Sequence, residues 1–198
     1  LLKKANISSQ IKVRVILNSS YNAFVTSDNV IYLHSGLLLK AESLEEVIGV
    51  MAHELGHIVS GHVARKNESL EVARNASSLS TALAAAAAIS GSEELAASLL
   101  IGGNDRVARH YYYGSRINEA IADEWALKML DELQISAVGM ARMMKRLSNE
   151  NALPESYQSE YYRTHPEAKK RLAVYKDHVT KSNFTNNRMN AADYASFK

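Results

Sequence analysis

Apolar and polar residues change period twice along this chain, and the changes divide it into elements. Ile11-Lys12-Val13-Arg14-Val15 alternates with the two-residue period of a strand buried on one face. Tyr21 to Thr26 and Val30 to His34 are two more β-rich runs, separated by the turn residues Ser27-Asp28-Asn29, and together they predict a hairpin. From Ser43 the period becomes helical. Ser43-Leu44-Glu45-Glu46 has the capping-box pattern, in which a serine oxygen and a glutamate satisfy backbone donors. Val47, Ile48, Met51, Leu55, Ile58 and Val59 then continue one apolar face to about Val63.

Leu79 to Gly103 is rich in alanine and leucine. Ser90-Gly91-Ser92-Glu93-Glu94 splits it into two apolar pieces, each about half of the roughly twenty residues that a membrane span requires. The expectation is a helical hairpin packed on the body of the protein, with a mobile cover over a site or a membrane-surface contact as the alternatives. Further helices are expected over about Ile117 to Leu133 and Ser136 to Leu147. Asn149 to Arg163 reads as a loop. Pro166 suits the first turn of a last helix, where its missing N–H is not needed. Ser182 to Lys198 is polar and weakly patterned, a tail or the start of a further domain, which leaves residues 1–181 as the main domain. The fold class expected is α+β, mainly helical, with a small sheet beside the first long helix.

Composition narrows the function. The 198 residues suffice for one medium domain with a substantial core. A net charge of +2 with scattered basic residues gives no footprint for nucleic acid. The absence of cysteine excludes disulfides, thiolate metal sites and a cysteine nucleophile. Leu1-Leu2-Lys3-Lys4 is followed by polar sequence, without the apolar run of a signal peptide. With no initiator methionine, the chain reads as a mature or trimmed fragment.

The chemistry lies in His53-Glu54-Leu55-Gly56-His57, well inside the predicted helix. Histidines four apart on a helix differ by about 40° around its axis, so both rings can reach one point. Two neutral imidazoles from one helix leave room on a zinc ion for a third ligand and a water. Glu54 can face that water and take its proton as the water attacks a carbonyl. Glu119 is the candidate third ligand. In Glu119-Ala120-Ile121-Ala122-Asp123 it shares a helical face with Asp123, which can orient a ligand histidine through its second N–H. Small residues at 120 and 122 would let this helix approach the first. The alternative pattern, with a third histidine six residues after the second, is absent because Ser60 and Val63 hold the required glycine and histidine positions. His62 falls on roughly the opposite helix face and is read as structural.

Ser115-Arg116-x-x-Glu119-x-x-Ala122-Asp123, some sixty residues after the His-Glu-x-x-His run, resembles the HtpX and CAAX-prenyl-protease type of gluzincin metallopeptidase. So do Asn22-Ala23-Phe24, Gly36-Leu37-Leu38 and Thr164-His165-Pro166 with Arg171, and the likeness runs from about Val13 to Leu172. The resemblance implies an endopeptidase with one zinc ion per chain that holds an extended protein or peptide substrate along the edge of its small sheet. Asn22 and Ala23 would lie on that edge, although Asn22 also reads as a turn residue. His165 and Arg171 would stand near the metal and hydrogen-bond the developing oxyanion, or His165 would occupy the fourth zinc position at rest. Without the resemblance, His165 is a histidine before a helix-starting proline and Arg171 a solvated basic residue. The long membrane helices of many relatives are missing. The chain therefore resembles the soluble, BepA-like branch, whose members are periplasmic proteases of Gram-negative bacteria, which implies a role in envelope protein quality control. The C-terminal helical repeats common in that branch are not evident. A latent or chaperone-like zinc-binding module is the other reading.

Overall fold

The computed structural model describes residues 11–184 and 194. The chain forms two compact units, one of Leu1–Ser60 with Glu119–Lys198 and the other of Gly61–Asn118.

Three strands form the sheet of the first unit: β1 (Lys12–Ile16), β2 (Ala23–Val25) and β3 (Val30–His34), in the order β1-β3-β2. β2 and β3 make the expected hairpin, with Ala23 opposite Leu33 and Phe24 opposite Tyr32. Its three-residue loop closes with Asn29 N–H donating to Thr26 C=O and Asn29 in the left-handed region, φ 60°, which asparagine tolerates better than most residues. β1 runs parallel to β3 at the other edge. Its alternation predicted one buried face, yet Val13 and Val15 are 40% and 57% exposed. β3 holds the central place and buries Val30, Ile31, Leu33 and His34. A short helix α1 (Ser35–Lys40) follows directly. Gly36 is required there, because a Cβ would stand 2.2 Å from the carbonyl oxygen of Ser19.

Helix α2 (Leu44–Val59) starts as its sequence signalled, with Ser43 Oγ accepting from Glu46 N–H. The reciprocal half of the box differs, since the Glu46 carboxylate accepts instead from Glu42 N–H, Tyr21 Oη and Arg146. The helix stops at Val59 and not near Val63. Gly61 takes a left-handed conformation, φ 66°, which an α-helix cannot continue through. α2 packs on β2, β3 and α5 (Val138–Asn149), whose Met140, Met143, Met144 and Leu147 lie on one buried stripe. α5 packs in turn on α7 (Ala168–Lys181).

The second unit contains α3 (His62–Ile89) and the first part of α4 (Glu93–Glu132). The predicted turn is where expected, with Gly91 at φ 84°, but the arms are longer. α4 is one helix of 40 residues, so the hairpin arm and the helix expected from Ile117 are continuous. Gly102 and Gly103 do not break it, consistent with a helical glycine costing only about 1 kcal/mol relative to alanine. Among the described residues no helix is long and apolar enough to cross a membrane.

The region expected to be loop holds two single 3₁₀ turns and a five-residue helix, α6 (Glu160–Thr164), whose N-cap Ser159 accepts from Tyr162 N–H. Pro166 does not sit in the first turn of α7. Glu167, in the left-handed region at φ 62°, separates the proline from the helix. Most of the polar tail lies outside the described residues. Tyr194 is buried and donates its hydroxyl to Leu38 C=O at 2.7 Å.

Candidate metal centre

Helix α2 supplies His53, Glu54 and His57, and the C-terminal part of α4 supplies Glu119 and Asp123. The two helices meet at Gly56, where a Cβ would lie 2.9 Å from the Ala122 carbonyl oxygen. Ala122 is buried at this crossing, whereas Ala120 faces solvent, so only one of the two small residues serves the approach. His165 follows α6 and Arg171 lies on α7. All seven of these side chains are buried.

The imidazole Nε2 atoms of His53 and His57 are 3.1 Å apart. Each is 3.3 Å from a different oxygen of Glu119. Donor atoms of His53, His57, Glu119 and His165 all lie within 4.8 Å of one another. Behind this group stands a second set of bonds. Asp123 Oδ1 is 2.9 Å from His53 Nδ1 and also accepts from Tyr175 Oη at 2.7 Å. Arg171 donates to both Asp123 oxygens, Nε to Oδ2 at 2.7 Å and Nη2 to Oδ1 at 2.8 Å. Its Nη1 lies 2.8 Å from Glu119 Oε2. The guanidinium is thus engaged by two carboxylates and is not the solvated group that the residue alone suggested.

His165 is held in one tautomer. Its Nδ1 faces Tyr161 C=O at 3.2 Å and Thr164 Oγ1 at 2.9 Å. The threonine hydroxyl directs its own hydrogen to Glu160 C=O, so both neighbours are acceptors and Nδ1 carries the proton. Nε2 faces the cluster, 3.2 Å from Glu54 Oε1, where the neutral ring would offer its lone pair to a metal.

Burial opposes ionisation of Glu54, but His165, His53 and His57 outweigh it and hold the carboxyl below its ordinary range. Burial is likewise overcome at Glu119, by His165 and Arg171, and at Asp123, by Arg171 and the His53 hydrogen bond. Burial also lowers His57, favouring the neutral ring that binds metals. At His53 burial and Arg171 pull downward, yet hydrogen bonds to Asp123 and Glu119 carry the ring up to about 9. Three ionised carboxylates against one guanidinium leave two negative charges for protons or a divalent cation to balance. Glu54 Oε1 and Glu119 Oε2 are buried without a well-directed hydrogen bond. Carboxylate oxygens with spare accepting capacity beside converging imidazoles suit a bound metal ion.

Asn22 is buried just ahead of β2, with Nδ2 donating to Glu160 Oε2 at 3.1 Å and Oδ1 lacking a hydrogen-bond partner among the described residues. Ala23 opens the edge strand, its side chain fully buried. His62 is buried at the start of α3 and is not one of the four clustered donors. Sequence reasoning missed Tyr161, whose ring stacks on His165 at 4.0 Å and 15°. It also missed Tyr175, although Arg171 and Tyr175, four apart on α7, share a face and therefore a target.

A small sheet beside a helix with two converging histidines, met by a glutamate from a second helix, defines the zincin-like fold class. The chain belongs to peptidase family M48, which it matches over residues 1–179. It is 29% identical over 176 residues to Metalloprotease LoiP of Escherichia coli (strain K12), across 88% of this chain and 66% of that protein. It is 32% identical over 138 residues to a putative beta-barrel assembly-enhancing protease of Vibrio cholerae, across 69% of this chain and 28% of that protein. The chain therefore spans just under two thirds of the first relative and less than a third of the second.

Proposed function

We propose that the protein is a zinc-dependent endopeptidase in which His53, His57 and Glu119 hold the ion and Glu54 is the general base. The observation that carries this is the convergence of donor atoms: the two imidazole Nε2 atoms lie 3.1 Å apart, and each lies 3.3 Å from one of the two Glu119 oxygens. Zinc bonds of about 2.0 to 2.1 Å in a tetrahedron place neighbouring ligands about 3.3 Å apart. Bound zinc supplies a Lewis acid and lowers the pKa of a water to near neutrality. Glu54, ionised within the cluster, takes the proton of the attacking water and passes it to the leaving amine. Asp123 fixes the His53 ring through Nδ1. With its donors engaged by Asp123 and Glu119, Arg171 acts as a positioning residue for the metal ligands instead of touching an oxyanion. His165 Nε2 favours a resting state in which this ring fills a fourth position and withdraws when substrate enters.

The edge of β2 is the proposed substrate cradle. His34 N–H donates to Asn22 C=O and Thr26 N–H to Val30 C=O, which turns residues 22, 24 and 26 toward β3. The backbone groups of Ala23 and Val25 therefore face the outer side; Ala23 is wholly covered and Val25 part-exposed, so an extended peptide would add as a strand beside Val25. The Vibrio relative, named as an enhancer of beta-barrel assembly, supports a periplasmic role in envelope quality control.

Glu54→Gln tests the assignment directly. The variant should keep one zinc per chain by elemental analysis and lose at least about a thousandfold in cleavage of a casein-derived peptide. Undiminished cleavage would remove Glu54 from the mechanism.

A further inference from the structure

Helix α6 is bonded at one end to the strand edge and at the other to the metal cluster. Glu160, its first residue, accepts through Oε2 from Ser20 Oγ at 3.0 Å and from Asn22 Nδ2 at 3.1 Å. Ser20 directs its one hydrogen to this carboxylate, so its oxygen accepts from His34 Nδ1, 2.6 Å away. The next residue, Tyr161, donates its N–H to Tyr21 C=O at 3.2 Å. By the alternation of the strand, Tyr21 is the outward position that precedes Ala23. The Tyr161 ring stands edge-on to Tyr21, with centroids 6.3 Å apart, and flat against His165. At the far end, His165 donates its N–H to Tyr161 C=O at 2.9 Å, and Arg171 Nη1 reaches His165 C=O at 3.4 Å. A helix of five residues is too short to be stable alone, so its placement is set by what it touches.

We propose that Glu160 is a positioning residue: by tying α6 to Ser20 and Asn22, it sets where His165 stands in the metal cluster. The β2 edge and the imidazole beside Glu54 then behave as one piece. The proposal rests on the peptidase reading for the identity of what lies along the edge, a peptide strand. Such a strand, added beside Val25, is directed along β2 toward α6 and the Tyr21–Tyr161 bond. Its seating is felt at His165 through the stacked Tyr161 ring.

The test is the visible absorption of the Co²⁺-substituted protein, which reports the number and kind of metal ligands. Wild type, Glu160→Ala, Glu160→Gln and His165→Ala are compared. His165→Ala should change the spectrum, and Glu160→Ala should move toward it while kcat/KM for a casein-derived peptide falls about tenfold. Glu160→Gln can accept the same two hydrogens through Oε1, and it should stay within about threefold of wild type in kcat/KM with an unshifted spectrum. A wild-type spectrum in Glu160→Ala or in His165→Ala would overturn the proposal, and so would equal damage from alanine and glutamine at position 160. If Glu160→Ala does not fold, Ser20→Ala removes one of the two hydrogen bonds and must shift the spectrum in the same direction. The spectra decide the tie whether or not any peptide is cut, so its failure is distinguishable from failure of the peptidase reading.

Discussion

The unit that carries the metal cluster and the unit built from the alanine-rich hairpin bury different kinds of group. The first hides three carboxylates, three histidines and an arginine within bonding distance of one another. Among its described side chains, the hydrophobic residues that the second buries are Ala84, Ala87 and Ala96, while Leu79, Leu83, Ile89, Leu95 and Ile101 are exposed. A buried charge is tolerated only with its partners in place, so each polar residue of the first unit depends on the others. A buried methyl group contributes little and asks for no particular neighbour. The two regions therefore differ in tolerance: substitutions in the cluster should be severe and non-additive, and those on the outer face of the hairpin nearly silent.

Substitution can sharpen that contrast or break it. The largest effect is expected from His57→Ala, which removes one of the two converging imidazoles. Zinc should fall well below one per chain, with peptide cleavage down by at least about a thousandfold. Full metal content by elemental analysis would show that His57 is not a ligand. Arg171→Met comes next. It keeps much of the side-chain volume but leaves Asp123 and Glu119 without their shared counter-charge, at a cost of about 3 to 5 kcal/mol. Urea unfolding of the variant measures this directly, and a loss below about 1 kcal/mol would mean that the histidines alone neutralise the two carboxylates. The smallest effect belongs to Ile89→Ser in the hairpin, where the side chain is 90% exposed. Stability should change by no more than about 0.5 kcal/mol in the same assay. A larger loss would mean that this residue is covered in solution, and the contrast between the units would fail.

Much of the local structure in both units was legible in the sequence. The hairpin of β2 and β3, the start of α2 at Ser43 and the turn at Gly91 follow from local signals, because a cap or a left-handed residue acts within a few positions. Local signals misled where the answer depended on position in the fold. The alternation of β1 promised one buried face, but an edge strand buries only what another layer covers. Pro166 marked the neighbourhood of a helix start, yet Glu167 intervenes. Glu46 accepts from the N–H of Glu42 and not, as the capping box would have it, from that of Ser43, and its bonds to Tyr21 and Arg146 bridge 25 and 100 residues of sequence.

The candidate site divides along the same line. Residues on one helix have their mutual geometry set by the 3.6-residue repeat, so sequence alone determined that His53 and His57 can share a ligand and that Glu119 and Asp123 share a face. It also determined the family through the motif that joins them. Only the tertiary structure decided that α2 and α4 close to contact at Gly56 and Ala122, that Arg171 binds both acids of α4, and that His165 enters the cluster with its tautomer held by Tyr161 and Thr164. The bonds of Arg171 to Asp123 and His53 span 48 and 118 positions of sequence, and side-chain pairing over such distances is set by the packing of whole helices, which no local pattern encodes.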